Sequence, residues 1–179
     1  QHMISQMADN GVAAAIMPHG MLFRGNAEYT IRKYFIDNQN YLDAVIGLPP
    51  NLFYGTDKEV CIIVLKKCRE DDQHVLFIDA SEDYQQGTGK NALTDMHVQK
   101  LVDAYKDRKA VDRYSALISL KEIRENNYFL NIARYVLKPQ HDEPVHLDAV
   151  PDKLSATTVR QQEVDTAIAA YCQRLGIDA

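Results

Sequence analysis

With 25 acidic against 20 basic side chains in 179 residues, the chain carries a net charge of −5. That balance excludes a general nucleic-acid-binding surface, so any contact with DNA needs a local basic patch or a partner. A hydrophobic content of 46% suits one soluble domain plus an extension.

No apolar run approaches the ~18 residues of a membrane span. The cysteines, Cys61, Cys68 and Cys172, form no C-x-x-C pair. They therefore indicate neither a disulfide framework nor a zinc site, as expected for a reducing cytoplasm. No signal peptide is visible. The opening Q-H-M-I-S-Q-M reads as the middle of a helix, which suggests a piece of something longer.

Met3, Ile4 and Met7 have the spacing of a closing amphipathic helix, stopped at Asn10-Gly11. Val12–Met17 reads as a buried strand closed by Pro18. A Gly-punctuated loop follows, P-H-G-M-L-F-R-G, carrying His19, Phe23 and Arg24. Ala27 to Asn38 reads as a helix with an apolar stripe of Ala27, Ile31, Tyr34 and Phe35 and with Arg32 and Lys33 facing out. Helix, strand, helix and then a strand at Leu42 is a βαβ rhythm, which implies a parallel sheet.

Two short apolar runs, Leu42–Leu48 and Val60–Leu65, suit strands covered on both faces. Pro49 and Pro50 must end the first of them. Only eleven residues separate Leu48 from Val60. That is short for a helical crossover, so the Val60 strand is expected to run antiparallel as a long-looped hairpin. The loop holds two aromatics, Phe53 and Tyr54. Residue type leaves two roles open: a plug for the bottom of the sheet, or a flat π-face for a planar ligand.

His74–Ala80 reads as a further strand, with Asp79 and Asp83 flanking the polar segment beyond it. G-T-G-K at 87–90 imitates the end of a phosphate-binding loop. Tyr84 stands where the first glycine belongs and Asn91 where Ser or Thr belongs, so the segment reads as an exposed loop. Thr94 is a candidate N-cap for a helix to about Arg108, with Val98, Leu101, Val102 and Tyr105 on one face. S-L-K-E at 119–122 is a capping box that starts another helix, ending near Asn126-Asn127. Tyr128–Leu137 reads as an extended or docked segment.

Pro139, Pro144 and Pro151 mark a linker. A last helix begins near Thr158, with Gln161 completing a second capping box. Its stripe of Val164, Ile168, Tyr171 and Leu175 has coiled-coil seam spacing. It packs either on its own chain or on a partner.

Taken together, G-V-A-A-A-I-M-P-H-G-M-L-F-R-G, I-R-K-Y-F, L-D-A-V-I-G-L-P-P-N-L-F-Y-G-T and I-I-V-L-K-K resemble the M (modification) subunit of type I restriction–modification systems. The later pieces V-L-F-I-D-A-S, N-A-L-T, S-L-K-E-I and N-N-Y-F-L-N-I-A-R-Y-V agree with it in order. The resemblance covers most of residues 1 to 137 and implies an adenine-N6 DNA methyltransferase that uses S-adenosyl-L-methionine. The implied fold class is α/β: the second half of a Rossmann-like methyltransferase sheet with one antiparallel strand, plus a helical C-terminal extension. Val12–Met17 resembles its fifth strand, Leu42–Leu48 its sixth and Val60–Leu65 its antiparallel seventh. The expected division is 1–92 for the α/β half, 93–138 for a helical extension, 139–157 for the linker and 158–179 for the last helix.

The resemblance gives Phe53 the task of stacking on the extruded target adenine, with Tyr54 as second choice. A π-face partly offsets the cost of taking a base out of the stack. The loop Pro18, His19, Gly20, Phe23, Arg24 lies at a strand's carboxyl end, where open α/β sheets bind ligands. His19 and Arg24 either touch DNA phosphate and border the base pocket, or the loop only turns the chain. The implied partners are DNA, a specificity subunit and a restriction subunit, with Val164, Ile168, Tyr171 and Leu175 as a possible contact for the specificity subunit.

Two motifs of the family do not occur. One is the Gly-rich turn that holds the cofactor. The other is N-P-P-[F/Y], whose acceptors grip the adenine amino group; the one Pro-Pro here follows Leu48, which has no acceptor. Gln1 falls where the family's helix after that motif would run. The polar Thr56-Asp57-Lys58-Glu59 also departs from the apolar turn often found after the aromatics. The expectation is that the chain alone carries the target-base side, binds no cofactor and has no catalytic residue. The rival expectation is a non-catalytic scaffold for a partner subunit.

Overall fold

The computed structural model describes residues 2–54, 58–136, 160–162, 164–169 and 171. The chain divides into two compact units, 1–138 and 139–179. The expected linker, Thr158, Cys172 and Leu175 lie outside the described residues, as do Gly55, Thr56 and Asp57.

In the first unit, helix α1 (His2–Ser5) leads to strand β1 (Val12–Pro18) and a 3-10 turn (His19–Leu22). Helix α2 (Ala27–Lys33) runs into a π-helical turn (Tyr34–Asn38), followed by β2 (Leu42–Gly47), β3 (Val60–Lys66) and β4 (His74–Asp79). A small hairpin of β5 (Gln85–Gln86) and β6 (Asn91–Ala92) precedes α3 (Asp95–Asp107). Strand β7 (Ser115–Ser119), α4 (Leu120–Glu125) and α5 (Ile132–Val136) complete the unit.

The main sheet has the order β1-β3-β2-β4-β7. β3 is antiparallel to both β1 and β2, so those two run parallel with β3 inserted between them. β2 and β4 are parallel, and β7 returns antiparallel to β4. The hairpin expected from the short Leu48–Val60 connection is therefore present. It arises because the α2 crossover leaves a one-strand gap beside β1, which β3 fills.

Every residue of β2 is buried, and β3 is nearly so. One face, with Val45, Ile63 and Phe77, meets Ile36, Ile123, Ile132 and Tyr135. The other, with Ala44, Ile46, Val64, Leu76 and Ile78, meets Leu101, Ala104 and Tyr105 of α3 and Tyr114. Cys61 has no exposure, and burial pushes its thiol up to about 12, so it acts as a small apolar side chain.

Several expectations are corrected. β1 is not a buried strand: it ends the strand order, and Val12 and Ile16 are 59% and 54% exposed. Its proline is its last residue, opposite Val60, which an edge strand tolerates. Arg32 does not face out. It is 3% exposed, because Nε donates to the Tyr128 carbonyl at 2.9 Å and Nη1 to the Met21 carbonyl at 2.7 Å. Two carbonyls that need donors thus draw a cation into the face where periodicity expected only apolar groups, and Tyr34 is left 44% exposed while Ile36 takes the core position. Val98 is half exposed rather than part of the packed face of α3. The exposed loop expected at 87–91 is the tip of the β5–β6 hairpin, only Asn91 belonging to a strand, and residues 132–136, within the segment read as extended or docked, form a docked helix. β7 was not anticipated; its S-A-L-I-S is too short to stand out from the helix-like sequence around it.

Of the expected caps within the described residues, Thr94 and Ser119 both accept from their helices, the 119–122 box through its serine half. Thr94 Oγ1 accepts from the His97 N–H and His97 Nδ1 accepts from the Thr94 N–H, so histidine closes the box usually closed by Glu or Gln. Ser119 Oγ accepts from the Glu122 N–H.

The least expected feature of the core is Asp43, only 2% exposed. The β2–β3 register shifts between Leu42 and Ala44, and this irregularity turns Asp43 to the same side as Ala44, under α3. Its Oδ2 accepts from the Tyr105 hydroxyl at 2.7 Å and lies 3.4 Å from Lys66 Nζ. Its Oδ1 accepts from Arg108 Nη1 at 3.1 Å and lies 3.8 Å from Arg69 Nε. Burial would lower the Lys66 pKa, but Tyr105 and Asp43 outweigh it and hold the ammonium above its ordinary value. Burial pulls the Arg69 guanidinium below its own, against the attraction of Asp43.

Asp43→Ala is expected to cost about 3–5 kcal/mol, because it leaves buried cations without their counter-charge. Chemical denaturation of the two proteins measures this; a loss below about 1 kcal/mol would show that the cluster contributes little to stability.

Candidate functional site

Strand directions decide which loops meet. β1, β2 and β4 are mutually parallel, so their carboxyl ends share one edge of the sheet with the amino end of β3. Ligands of open α/β sheets bind at such an edge. Three segments converge there: 18–25 after β1, 48–59 between β2 and β3, and 80–94 after β4.

The first is pinned from below. Leu22 is 1% exposed, and its carbonyl accepts from the Leu130 N–H at 2.9 Å. Met21 is held by Arg32. His19 joins the first loop to the second: its N–H donates to the Glu59 carbonyl at 3.3 Å, and Nδ1 lies 3.3 Å from Glu59 Oε2. The Arg24 guanidinium lies directly over Gly20: a Cβ there would be 2.8 Å from the guanidinium carbon and would push this exposed side chain aside. Arg24 thus folds back over the turn while remaining exposed, and Phe23 is 46% exposed.

The second loop is anchored at its root. The Leu48 N–H donates to the Val60 carbonyl at 3.1 Å, and the Ala80 N–H to the Gly47 carbonyl at 3.0 Å. Leu48 is 4% exposed and Pro49 is fully buried. Beyond this root Phe53 is 39% exposed and Tyr54 92% exposed. Tyr54 therefore does not plug the sheet, and Phe53 does so at most with one side.

In the third segment Asp79 Oδ1 accepts from the Ser81 N–H at 3.1 Å. Asp83 accepts from the Tyr114 hydroxyl at 2.7 Å and from Lys100 Nζ at 2.6 Å. Burial, followed by the hydrogen bond to Asp83, raises the Tyr114 pKa, so the phenol stays protonated. The hairpin then leans on the second loop through Asn91 and Asn51. Neither asparagine stood out in the sequence; the available signal was Asn51 after two prolines, a position that often takes a left-handed backbone.

The edge therefore offers exposed rings and polar backbone, with the cations Arg24 and Lys100 and the imidazole of His19 set among Glu59, Asp79 and Asp83. β1 leads through the 3-10 turn and the Gly20–Gly25 loop to α2, β2 leads to Pro49-Pro50, and β4 leads to carboxylates already engaged. The stripe of the last helix lies in the other unit, where Val164, Ile168 and Tyr171 are 50%, 51% and 62% exposed. Among the described residues no helix is long and apolar enough to cross a membrane.

Comparison with known proteins bears on this edge. The family model for N-6 DNA Methylase matches residues 1–144. The type I restriction enzyme MpnII methylase subunit of Mycoplasma pneumoniae is 32% identical over 177 residues, covering 99% of this chain and 32% of that protein. The MjaVIII methylase subunit of Methanocaldococcus jannaschii is 33% identical over 168 residues, 91% of this chain and 29% of that protein. The crystal structure of the type I restriction-modification methyltransferase subunit from Streptococcus thermophilus is 46% identical, with a TM-score of 0.72 over 75% of this chain and 29% of that one. The chain spans about a third of the length of the curated relatives it matches. With most of its length matched by the family model, the chain belongs to the N-6 DNA methylase family.

Proposed function

We propose that this chain is the target-base side of a type I restriction–modification methylase subunit, which transfers a methyl group from S-adenosyl-L-methionine to the N6 of adenine in DNA. The observation that carries this reading is an exposed aromatic, Phe53, held at the carboxyl edge of the sheet by a buried Leu48-Pro49 root. Chemistry on a base needs the base out of the duplex, and a π-face at the receiving site offsets part of that cost. Stacking of this kind is worth about 1–3 kcal/mol per base. Tyr54 is the alternative ring. His19 and Arg24 border the pocket, and Arg24 supplies a cation for nearby phosphate, although the acidic chain as a whole leaves most of the attraction to DNA to partner subunits.

The relatives are named as methylase subunits of type I restriction enzymes, which supports a parent assembly of several subunits; its proposed partners are a specificity and a restriction subunit. The exposed stripe of Val164, Ile168 and Tyr171, continued in sequence by Leu175, is the proposed contact for the specificity subunit. The fold is the second half of a Rossmann-like methyltransferase sheet, an assignment supported by β3 running antiparallel between β1 and β2. On this reading the cofactor is held mainly by the rest of the complete subunit, and the chain is expected to be inactive alone. When bound in the complete subunit, the cofactor supplies an electrophilic methyl group. This chain's residues receive and orient the base.

In the complete methylase, Phe53→Ala is expected to lower kcat/KM by roughly ten- to a hundredfold. It should also weaken extrusion, read from the fluorescence of 2-aminopurine at the target position. Unchanged rate and fluorescence would sink the base-stacking role.

Calorimetric titration of S-adenosyl-L-methionine into this chain is expected to give no binding heat. One-to-one binding would mean that the loops at the edge form the cofactor site.

Substituting Ile168 and Tyr171 together by Glu is expected to weaken capture of the specificity subunit in a pull-down while leaving thermal stability unchanged. Intact assembly with lowered stability would place the stripe in the chain's own core.

A further inference from the structure

We infer that Asn51 and Asn91 are positioning residues: they clamp the loop that carries Phe53 onto the β5–β6 hairpin, so that the ring meets an extruded base in one place. The inference rests on the reading of Phe53 given above and extends it to residues that touch neither base nor cofactor.

The second loop leaves the sheet at Leu48 and rejoins it at Val60. Between these points the aromatic needs support from outside the ladder. The hairpin provides it through four hydrogen bonds. The Asn91 N–H donates to the Asn51 carbonyl at 3.0 Å, and Asn91 Nδ2 donates to the Pro50 carbonyl at 2.9 Å. Asn51 Nδ2 donates to the Gly89 carbonyl at 3.2 Å, and its Oδ1 accepts from Lys90 Nζ at 2.6 Å. Asn51 uses both halves of its amide, which neither Asp nor Leu can do.

The backbone requirements agree. Asn51 has φ of 57°, in the left-handed region that asparagine tolerates better than most residues. Across the contact, a Cβ on Gly87 would lie 2.5 Å from the Lys90 carbonyl oxygen, and Gly89 has φ of 100°. The glycines of G-T-G-K are thus explained by the tight hairpin that carries Lys90 and Asn91 to the loop, not by a phosphate. The hairpin is in turn set by α3, whose Thr94 cap begins two residues after Ala92.

A ring whose loop must order on each encounter loses affinity to that ordering, whereas a clamped ring does not. The clamp therefore acts on capture of the flipped base rather than on duplex binding.

The test uses the complete methylase with its partner subunits and a duplex carrying 2-aminopurine at the target adenine. Asn91→Ala and Asn91→Asp remove the side-chain donor, and Asn51→Gly keeps the left-handed backbone but removes the amide. Each is expected to lower kcat/KM by roughly five- to twentyfold, with KM for DNA nearly unchanged, and to shift the 2-aminopurine signal toward that of Phe53→Ala. In the Phe53→Ala background Asn91→Ala should cost little more, since there is no ring left to position. If Asn91→Ala does not fold, judged by thermal melting, Asn51→Gly decides. A defective Phe53→Ala beside fully active clamp variants would overturn the clamp alone. Multiplying losses in the double variant would overturn it too. An active Phe53→Ala would instead remove the underlying reading of Phe53.

Discussion

A buried carboxylate organises this unit. Asp43 sits at the start of the central strand, only 2% exposed, and is reached by a tyrosine hydroxyl, an ammonium and two guanidinium groups. A carboxylate taken out of water needs that many partners, because each oxygen left without one costs more than the pair returns. The partners come from different elements: Lys66 from the end of β3, Arg69 from the turn beyond it, Tyr105 and Arg108 from the last turn of α3 and its C-cap. One charge thus ties β2 to the end of β3 and to the C-terminal end of α3. Arg69 extends the network to Asn40 and to the carbonyl of His74, at the start of β4.

The consequence reaches the opposite edge. With α3 seated by its C-terminal end, its Thr94 cap and the hairpin before it stand at the carboxyl ends of the strands. There the hairpin meets the Pro50-Asn51 segment, and the loop with Phe53 has a wall to lean on. Charge burial at one end of the sheet and placement of an aromatic at the other are linked through one rigid helix. On the other face Arg32 does similar work, tying the 3-10 turn after β1 to Tyr128.

β1 carries no charged residue and leaves Val12 and Ile16 exposed at the end of the strand order. An apolar strand with one unpaired side is a place where another strand adds readily. The net charge of −5 gives the chain little long-range attraction of its own for a polyanion such as DNA.

Sequence alone determined the local features. Short apolar runs marked β2 and β3, Pro49-Pro50 stopped the first of them, and Thr94 and Ser119 announced two helices, because backbone sterics and cap hydrogen bonds depend on neighbours a few residues away. The brevity of the Leu48–Val60 connection foretold the antiparallel hairpin, and a resemblance spread over ordered motifs pointed to the family. Only the tertiary structure decided that β3 fills the gap beside β1, that β1 lies at an edge, and that Arg32 and Asp43 turn inward. Their partners, Tyr128 for Arg32 and Arg108 for Asp43, lie far along the chain, so no periodicity encodes them. The same holds for Asn51 and Asn91: each is an ordinary loop residue in sequence, and becomes part of a site only when the fold brings two distant turns together.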